Sequence, residues 1–110
     1  MKLVTGVVKP DKLDAVALAV AAAGARGMTA TEVQGFGQQF GHLVPERPEA
    51  AAVLQKLRID VLTVDQLAWP VAEAIAKAVN TGTIGDGKIW IGPVEGALRV
   101  RTGERGLAAV

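Results

Sequence analysis

The sequence predicts an α+β fold in which a strand–helix–strand unit occurs twice. Two β-branched runs, at residues 2–8 and 56–64, are each followed directly by apolar residues at helical spacing. The segments KLVTGVVKPDKLDAV (residues 2–16) and RIDVLTVDQLAWPV (residues 58–71) also have a similar strand-to-helix spacing. Because 110 residues suffice for one core but not for two, we expect a single domain over residues 1–110.

In the first half, a strand over residues 2–8 ends before Pro10. Pro10 is typical of a first helical turn, and Gly24 is typical of a helix end. A second strand is predicted over residues 27–34, and the glycine-rich residues 35–37 end it. The apolar face of the first helix is predicted to contain Leu13, Val16, Ala17, Val20 and Ala21.

In the second half, the alternation of residues 56–64 predicts a strand with one apolar face and one more polar face. A helix follows, with Asp65 as its N-cap and Pro70 in its first turn. A strand over residues 88–92 and a short C-terminal strand over residues 97–101, followed by a turn, complete the chain. The inward-facing residues are predicted to be Leu57, Ile59, Val61 and Thr63 in the strand and Leu67, Val71, Ala74, Ile75 and Ala78 in the helix.

Between the two halves, residues 36–54 have no clean period, and we expect a long loop there. Such a loop is uncommon inside a compact domain unless it is functional. The alternative is a helix over residues 48–54, because alanine and leucine favour helices. The order strand, helix, strand, strand, helix, strand is ferredoxin-like: an antiparallel sheet with both helices on one face. Because this fold has many functions, it does not decide the chemistry.

The composition argues against several kinds of site. With no cysteine and one histidine, His42, neither a disulfide framework nor a metal-ligand cluster is expected, and the chain suits the cytoplasm. Serine is also absent and His42 lies in the irregular segment, so nucleophilic catalysis lacks its usual groups and we do not expect an enzyme. A net charge of +1 and the absence of a long apolar run predict neither nucleic-acid binding nor membrane insertion.

A glycine-rich segment, TGTIGDGK at residues 81–88, is the strongest candidate for a ligand site. Glycines let backbone N–H groups approach a ligand closely, and Lys88 adds a charge suited to phosphate. The segment nearly matches a P-loop, but Ile89 stands where a Ser or Thr should be, and a helix precedes it instead of a strand. It is therefore a phosphate-loop candidate of another type. The alternative is a plain connection between a helix and a strand.

Two arginines near the end of the sequence are the second candidate. Arg99 and Arg101 are two residues apart in the predicted strand, so they would point to the same face and suit a polyphosphate. The alternative is a solvated edge strand whose charges discourage aggregation. Lys88 and Asp60 are candidates for a cross-strand ion pair.

Four segments carry a specific similarity to known proteins: KLVTGVVKPDKLDAV, GMTATEVQGFGQQFGH, NTGTIGDGKIWI and RVRTGERG. In this order and spacing they resemble the PII nitrogen-regulatory signal-transduction family over essentially the whole chain. The resemblance implies a homotrimer that binds adenine nucleotides in clefts between subunits, as ADP or as ATP with Mg. It also implies a cytoplasmic regulator whose long T-loop, about residues 37–55, docks on a target protein such as a membrane transporter.

The resemblance also assigns residues by position. Gln39 and Lys56 match positions that hold 2-oxoglutarate together with Mg-ATP, and Arg47 matches a T-loop arginine that enters an ammonium channel. Asp60 stands in place of a glutamate that faces Lys88. The implied nucleotide site contains Thr29, Gly35, Phe36, Gly37, Gln38, Leu62, Gly85, Asp86, Gly87 and Lys88, with Arg99 and Arg101 from the neighbouring subunit.

Departures from the family pattern alter these expectations. Gln38 and Thr83 stand where the family has an arginine and a lysine, and each charged hydrogen bond contributes roughly 1.5–3 kcal/mol. We therefore expect the preference for ATP over ADP to be reduced or reversed. Between Phe36 and Leu62 there is no Tyr, Ser or Thr, so the T-loop is not expected to be uridylylated, adenylylated or phosphorylated. Residues 50–54 (AAAVL) make its target-facing surface apolar.

Three function hypotheses remain open. The first is a PII-like regulator that senses ADP and ATP and controls a partner in nitrogen metabolism, with 2-oxoglutarate as co-effector. A divergent version would respond to ADP or AMP and serve another transport system, such as bicarbonate uptake. The second is a trimeric metal-tolerance protein of the same fold, against which the missing cysteines and the lone histidine argue. The third is a small-molecule-binding regulatory module of an enzyme.

Overall fold

The computed structural model describes residues 1–36 and 53–110. Within them it confirms the predicted α+β order of strand, helix, strand, strand, helix, strand. The elements are β1 (Lys2–Val8), a 3-10 turn (Pro10–Lys12), α1 (Leu13–Ala22), β2 (Thr29–Gly35), β3 (Leu54–Thr63), α2 (Asp65–Val79), β4 (Gly87–Pro93) and a second 3-10 turn (Gly106–Ala109).

The four strands form one antiparallel sheet in the order β2-β3-β1-β4. This is the ferredoxin-like arrangement that the element order predicts. The register pairs Val8, near the end of β1, with Leu57 on β3 and with Gly87, the first residue of β4. Gly35, the last residue of β2, pairs with Leu54, the first residue of β3. The loops that follow β1 and β2 and those that precede β3 and β4 therefore lie at the same end of the sheet.

One face of the sheet packs against both helices and forms the core. The predicted alternation of β3 is confirmed, because Leu57, Ile59, Val61 and Thr63 are all buried. Aliphatic side chains that alternate along a strand pack well against helices, and their burial provides most of the driving force for folding. The other buried residues of this core are Val4, Gly6 and Val8 of β1, Val16 and Val20 of α1, and Ala68, Val71, Ala72, Ile75 and Val79 of α2. Thr5 is also buried, but it lies on the opposite face of the sheet.

The predicted apolar faces of the helices are only partly right. In α1, only Val16 and Val20, one turn apart, are buried, whereas Leu13, Ala17 and Ala21 are exposed. The α1 sequence is apolar on all sides, so its periodicity does not indicate which face packs. In α2, Val71 and Ile75 are buried as predicted, but the predicted Leu67, Ala74 and Ala78 are only half-buried, and Ala68, Ala72 and Val79 complete the buried face.

The start of α2 differs from the prediction. Asp65 is the first helical residue, and Val64, in an extended conformation, is the N-cap without a side-chain hydrogen bond. Pro70 is the sixth residue of α2, not part of its first turn. Because Pro70 has no N–H, the carbonyl of Gln66 lacks the donor that an α-helix supplies four residues later.

The face of the sheet opposite the helices, called here the helix-free face, mixes apolar and charged residues. At its centre Thr5 of β1 lies between Asp60 of β3 and Trp90 of β4. Trp90 is 46% exposed, which is high for a tryptophan. The helix-free face also contains Leu3, Val7, Thr29, Lys56, Arg58, Leu62 and Lys88.

The predicted C-terminal strand over residues 97–101 is wrong. Leu98 forms a single bridge to Arg105, and the chain between them folds back on itself. The Arg99 N–H donates to the Glu104 carbonyl at 2.9 Å, and the Gly103 N–H donates to the Arg99 carbonyl at 2.8 Å. Gly103 has a φ of +74°, which glycine adopts readily, so a tight turn forms here. This unit, residues 97–106, is called the C-terminal hairpin.

The boundary of the predicted T-loop, about residues 37–55, needs one correction. β3 already begins at Leu54, so the last two residues of that range belong to the sheet. The alternative of a helix over residues 48–54 lies outside the described residues except at its end, where Leu54 is in a strand. No helix of the described ranges is long and apolar enough to cross a membrane.

Candidate functional site

The glycine loop, residues 80–86, connects the end of α2 to the start of β4. Gly82, Gly85 and Gly87 have φ angles of +76°, +98° and +116°, a region that other residues rarely adopt. At Gly87 a Cβ atom would lie 2.1 Å from the carbonyl oxygen of Val7. Glycine is therefore required where β4 begins to pair with β1.

Asp86 holds the glycine loop closed on itself. Its carboxylate accepts hydrogen bonds from the N–H of Thr81 at 2.7 Å, from the N–H of Gly82 at 2.9 Å and from the hydroxyl of Thr81. The side chain of Asn80 also accepts from the Gly82 N–H, at 2.8 Å. The Asp86 carboxylate is thus directed at the loop itself.

The charge of Asp86 is stabilised by these donors. The hydrogen bond from the Thr81 hydroxyl, together with those from the backbone N–H groups and from Lys9, holds the pKa of Asp86 far below its ordinary value. Asp86 therefore remains an anion at any pH near neutrality. Its negative charge is neutralised inside the chain by Lys9, whose Nζ lies 3.3 Å away.

Three backbone donors of the glycine loop remain unused. Within the described residues, no acceptor is present for the N–H groups of Thr83, Ile84 and Gly85. Lys88, two residues after the loop, is exposed and forms no ion pair within the same part of the chain. Successive free N–H groups next to an ammonium group are the usual elements of an anion-binding site.

A cavity of about 290 Å³ lies beside the glycine loop. It is open to solvent on the outside, and the ends of α2 and β1 form its apolar wall. Its lining residues are Val8, Ala76, Val79, Asn80, Asp86, Gly87, Lys88 and Ile89.

The predicted ion pair between Asp60 and Lys88 does not form within the chain. Asp60 instead pairs with Arg58 at 3.0 Å and accepts the hydroxyl of Thr5 at 2.7 Å. Because Asp60 lies opposite Thr5 and Lys88 lies opposite Val7, the two are diagonal across β1. Burial raises the pKa of Asp60, but the hydrogen bonds from Arg58 and Thr5 outweigh it, so the pKa is lowered.

Arg99 and Arg101 lie in a hairpin turn and not in a strand. The prediction that strand alternation points both side chains to the same face therefore rests on a wrong assignment. The guanidinium of Arg99 lies 3.3 Å from Glu104, whose carboxylate also accepts the hydroxyl of Thr102 at 2.8 Å. Arg101 lies in the turn of the C-terminal hairpin, exposed and without a partner in the described ranges. The sequence has no acid between the arginines, but the turn brings one next to Arg99.

The predicted residues on and just after β2 lie at the edge of the sheet opposite β4 and the glycine loop within one chain. Thr29 is opposite Asp60 at the start of β2, Gly35 ends β2, and Phe36 is 70% exposed. β2 and β4 are the two edges of the sheet, so they are about 14 Å apart, three strand spacings. A single chain therefore does not bring both groups into one pocket. Leu62 lies opposite Leu3, and Lys56 lies opposite Val33; Gly37, Gln38, Gln39 and Arg47 lie outside the described residues.

Sequence reasoning missed one functional candidate, Lys9. Its Nζ lies 3.0 Å from the hydroxyl of Thr83 and 3.4 Å from that of Thr81, in addition to its ion pair with Asp86. Local sequence patterns assigned Lys9 only to the end of a strand. The pairing of Val8 with Gly87 places Lys9 next to Asp86, and that pairing depends on the register between strands distant in sequence.

Comparisons with known proteins give a consistent result. Residues 1–104 match the family described as Nitrogen regulatory protein P-II. A protein of that name from Cereibacter sphaeroides is 48% identical over 112 aligned positions, which cover all of both chains. Proteins of the same name from Rhizobium meliloti and Nostoc punctiforme are each 45% identical, again over the full length of both chains.

The match extends across both strand–helix–strand units, the glycine loop and the C-terminal arginines. Because these identities extend over whole chains, the complete domain is similar, and not only one motif. The resemblance inferred from four segments of the sequence is thereby confirmed, and the chain belongs to the PII nitrogen-regulatory protein family.

Proposed function

We propose that this chain is a cytoplasmic signal-transduction regulator of nitrogen metabolism that senses adenine nucleotides at the glycine loop and controls a partner protein. Its role is regulatory, as in the family, and not catalytic. The observation that carries the proposal is that, within residues 1–36 and 53–110, the N–H groups of residues 83–85 have no acceptor and Lys88 has no ion pair. In a member of this family, such a site suits the phosphates of ADP or ATP.

The nucleotide site requires a second copy of the chain. Within one chain the β2 and β4 edges lie on opposite sides of the sheet. Apolar side chains are also exposed, including Trp90 on the helix-free face and Val100, which is 95% exposed in the C-terminal hairpin. Burying such residues favours association. We therefore expect a homotrimer in which Arg99 and Arg101 of one copy reach the nucleotide of another.

The predicted preference between nucleotides follows from the charges at the loop. Thr83 supplies a hydroxyl, and Lys9 beside it is already paired with Asp86. In the part of the chain that the structure describes, Lys88 is then the lysine near the loop without an ion pair, so we expect a third phosphate to gain little. We expect ATP, with Mg, to bind no more than about tenfold tighter than ADP. Isothermal titration calorimetry with both nucleotides tests this, and a larger preference for ATP would contradict it.

The partner is expected to bind through the predicted T-loop, which carries Arg47. Lys56, on the helix-free face near the same end of the sheet as the glycine loop, and Gln39 are the candidate contacts for 2-oxoglutarate. Titrating the ATP-loaded protein with 2-oxoglutarate, and separately with bicarbonate, distinguishes a nitrogen effector from a bicarbonate effector.

Because residues 37–61 contain no hydroxyl side chain, intact-mass analysis should find no nucleotidyl or phosphoryl group on the T-loop.

The metal-tolerance alternative has no support in the structure. Within residues 1–36 and 53–110, no three His, Cys, Asp or Glu side chains converge as metal ligands would. A thermal-shift assay compares the two functions directly: ADP is expected to raise the melting temperature of the trimer, and copper is not. Stabilisation by copper without stabilisation by ADP would overturn the proposal.

A further inference from the structure

Lys9 is held in an extended backbone conformation beside the glycine loop. Its φ and ψ are −63° and 142°, the conformation that a following proline favours, and Pro10 follows it. It lies directly after the pair formed by Val8 and Gly87. The position of the Lys9 backbone is thus set by β1, an inner strand of the sheet, and by Pro10, not by the loop.

From this fixed position, the Lys9 ammonium contacts three side chains of the glycine loop. Its Nζ lies 3.0 Å from Thr83 Oγ1, 3.3 Å from Asp86 and 3.4 Å from Thr81 Oγ1. The two threonine hydroxyls are hydrogen-bonded to each other at 2.7 Å. The contacts with the two hydroxyls are hydrogen bonds, and the contact with Asp86 is an ion pair.

The same residues connect both ends of the loop. Asp86, at the end of the loop, binds the N–H groups of Thr81 and Gly82 at its beginning. Lys9, directly after β1, also contacts Thr83. Among the described residues, no other side chain connects Thr83 to the sheet. The side chains of Lys9 and Asp86 are only 26% and 20% exposed, so their ion pair is less screened than one on the open surface.

We propose that Lys9 is a positioning residue of the glycine loop: together with Thr81, Thr83 and Asp86 it forms a latch that fixes the loop with the N–H groups of residues 83–85 free for a phosphate. These four residues are called the loop latch. The inference rests on the proposed function, because it takes the loop as the phosphate site. The two lysines near the loop then have different tasks. Lys88 contacts the anion, and Lys9 maintains the loop conformation.

The latch is tested in the nucleotide-free protein by amide hydrogen exchange of Thr81 and Gly82, whose N–H groups bind Asp86. Lys9→Met is expected to speed their exchange at least threefold, and Lys9→Arg to restore it in part. Lys12→Met removes the same charge from the adjacent 3-10 turn and has no contact with the loop, so it is expected to leave exchange unchanged. Unchanged exchange in Lys9→Met, with the Lys12→Met control behaving as expected, would overturn the latch.

A double-mutant cycle on ADP affinity distinguishes positioning from direct contact. If Lys9 acts through Thr83, Lys9→Met should weaken ADP binding about three- to tenfold in the wild-type background and much less in a Thr83→Val background. Equal losses in both backgrounds would mean that Lys9 contacts the nucleotide itself, and would overturn the positioning role. Thr83→Ser, which keeps the hydroxyl, is expected to behave like the wild type.

The failure of this inference can be distinguished from failure of the proposed function. Lys88→Met should weaken ADP binding without changing exchange at Thr81 and Gly82 in the nucleotide-free protein. If the wild-type protein does not bind ADP, the proposed function fails, and the exchange measurements alone decide whether the latch exists. If ADP binds and exchange is insensitive to Lys9, the latch is wrong and the nucleotide site remains.

Discussion

The two helix-to-strand connections have the same place in the repeated unit but different chemistry. The first, residues 23–28, follows α1, and the second, residues 80–86, follows α2. In the first connection Ala23, Ala25 and Met28 pack against the core. The second connection is the glycine loop, which is polar and largely exposed. The fold requires a connection at each place, but it does not require a ligand site.

The difference arises in how each helix ends. After α1, the Gly24 N–H donates to Ala21 at 3.1 Å and the Ala25 N–H donates to Val20 at 3.3 Å. This is the Schellman pattern, and Gly24, with a φ of +100°, permits it. After α2, Asn80 is extended, no such turn forms, and the Asp86 side chain binds the next N–H groups instead. After α1 the backbone N–H groups return to carbonyls of the helix, whereas after α2 they bind Asp86, and the N–H groups of residues 83–85 have no acceptor within the described residues.

The largest expected effect compares Gly24 of the first connection with Gly87, the β4 residue that directly follows the second. In Gly87→Ala, the new methyl group would lie 2.1 Å from the Val7 carbonyl oxygen, so β4 must shift away from β1. In Gly24→Ala the nearest atom, in Leu67, is 3.6 Å away, and only the backbone conformation is strained. We expect a loss in unfolding free energy of more than about 3 kcal/mol for Gly87→Ala.

For Gly24→Ala the expected loss is about 1–2 kcal/mol, the usual cost of a left-handed conformation for an alanine. Urea denaturation of both variants measures the difference. Equal losses would mean that the close contact between β1 and β4 does not constrain the glycine loop.

The next effect tests whether only the second connection binds a ligand. Lys88→Met removes the free ammonium beside the glycine loop, and a charged hydrogen bond contributes about 1.5–3 kcal/mol, so ADP should bind at least tenfold more weakly. Arg26→Met, in the first connection, removes a cation whose hydrogen-bond partner among residues 1–36 and 53–110 is the Val110 carbonyl, at 3.4 Å. Calorimetry should find its ADP affinity within about twofold of the wild type. A similar loss in both variants would indicate a general charge effect.

A smaller effect compares a packing side chain of the first connection with a hydrogen-bonding side chain of the second. Met28→Ala removes a half-buried side chain that packs on the core, and should lower the unfolding free energy by about 1–2 kcal/mol. Thr81→Ala should cost less than about 1 kcal/mol overall, because Thr81 is exposed. It should nevertheless speed amide exchange within residues 80–86 and leave residues 23–28 unchanged. Faster exchange in both connections would show that they are not independent.

The smallest effect is a dependence on pH that only the second connection should have. Because the pKa of Asp86 is lowered in the folded state, the unfolded chain takes up a proton first as the pH falls below about 4. The stability that Asp86 contributes is therefore complete above that pH and is lost as the pH falls toward the lowered pKa. The difference in unfolding free energy between the wild type and Asp86→Asn should shrink from pH 5 to pH 3. A difference that grows on acidification would contradict the pKa direction.

Much of the fold follows from local patterns. The alternation of Leu57, Ile59, Val61 and Thr63 predicts which face of β3 is buried, because side chains of a strand point alternately to its two faces. The failures have specific causes. In α1 the sequence is apolar on all sides, so only the packed structure shows that Val16 and Val20 face the sheet. Residues 97–101 alternate as a strand would, but the glycine turn after them folds the chain back, so only a single bridge forms.

Part of the candidate site could be proposed from the sequence. The glycine loop, Lys88 and the two C-terminal arginines stand out because glycine and cation patterns are local, and their part in ligand binding stays a prediction. Lys9 was missed, and Asp60 was assigned the wrong partner within the chain. Both depend on which strands are neighbours: Lys9 is 77 residues from Asp86 in sequence but adjacent to it across the β1–β4 pair.

The sequence by itself determined the order of the elements, the buried face of β3 and the family, and it predicts residues 81–88 as an anion site. Short-range periodicity, glycine conformation and motif spacing are sufficient for these. Only the tertiary structure decided that Asp60 binds Arg58 and Thr5, that Asp86 turns inward, and that Lys9 holds the glycine loop. The physical reason is that β1 lies between β3 and β4, so its register brings together charges that no local pattern in the sequence relates.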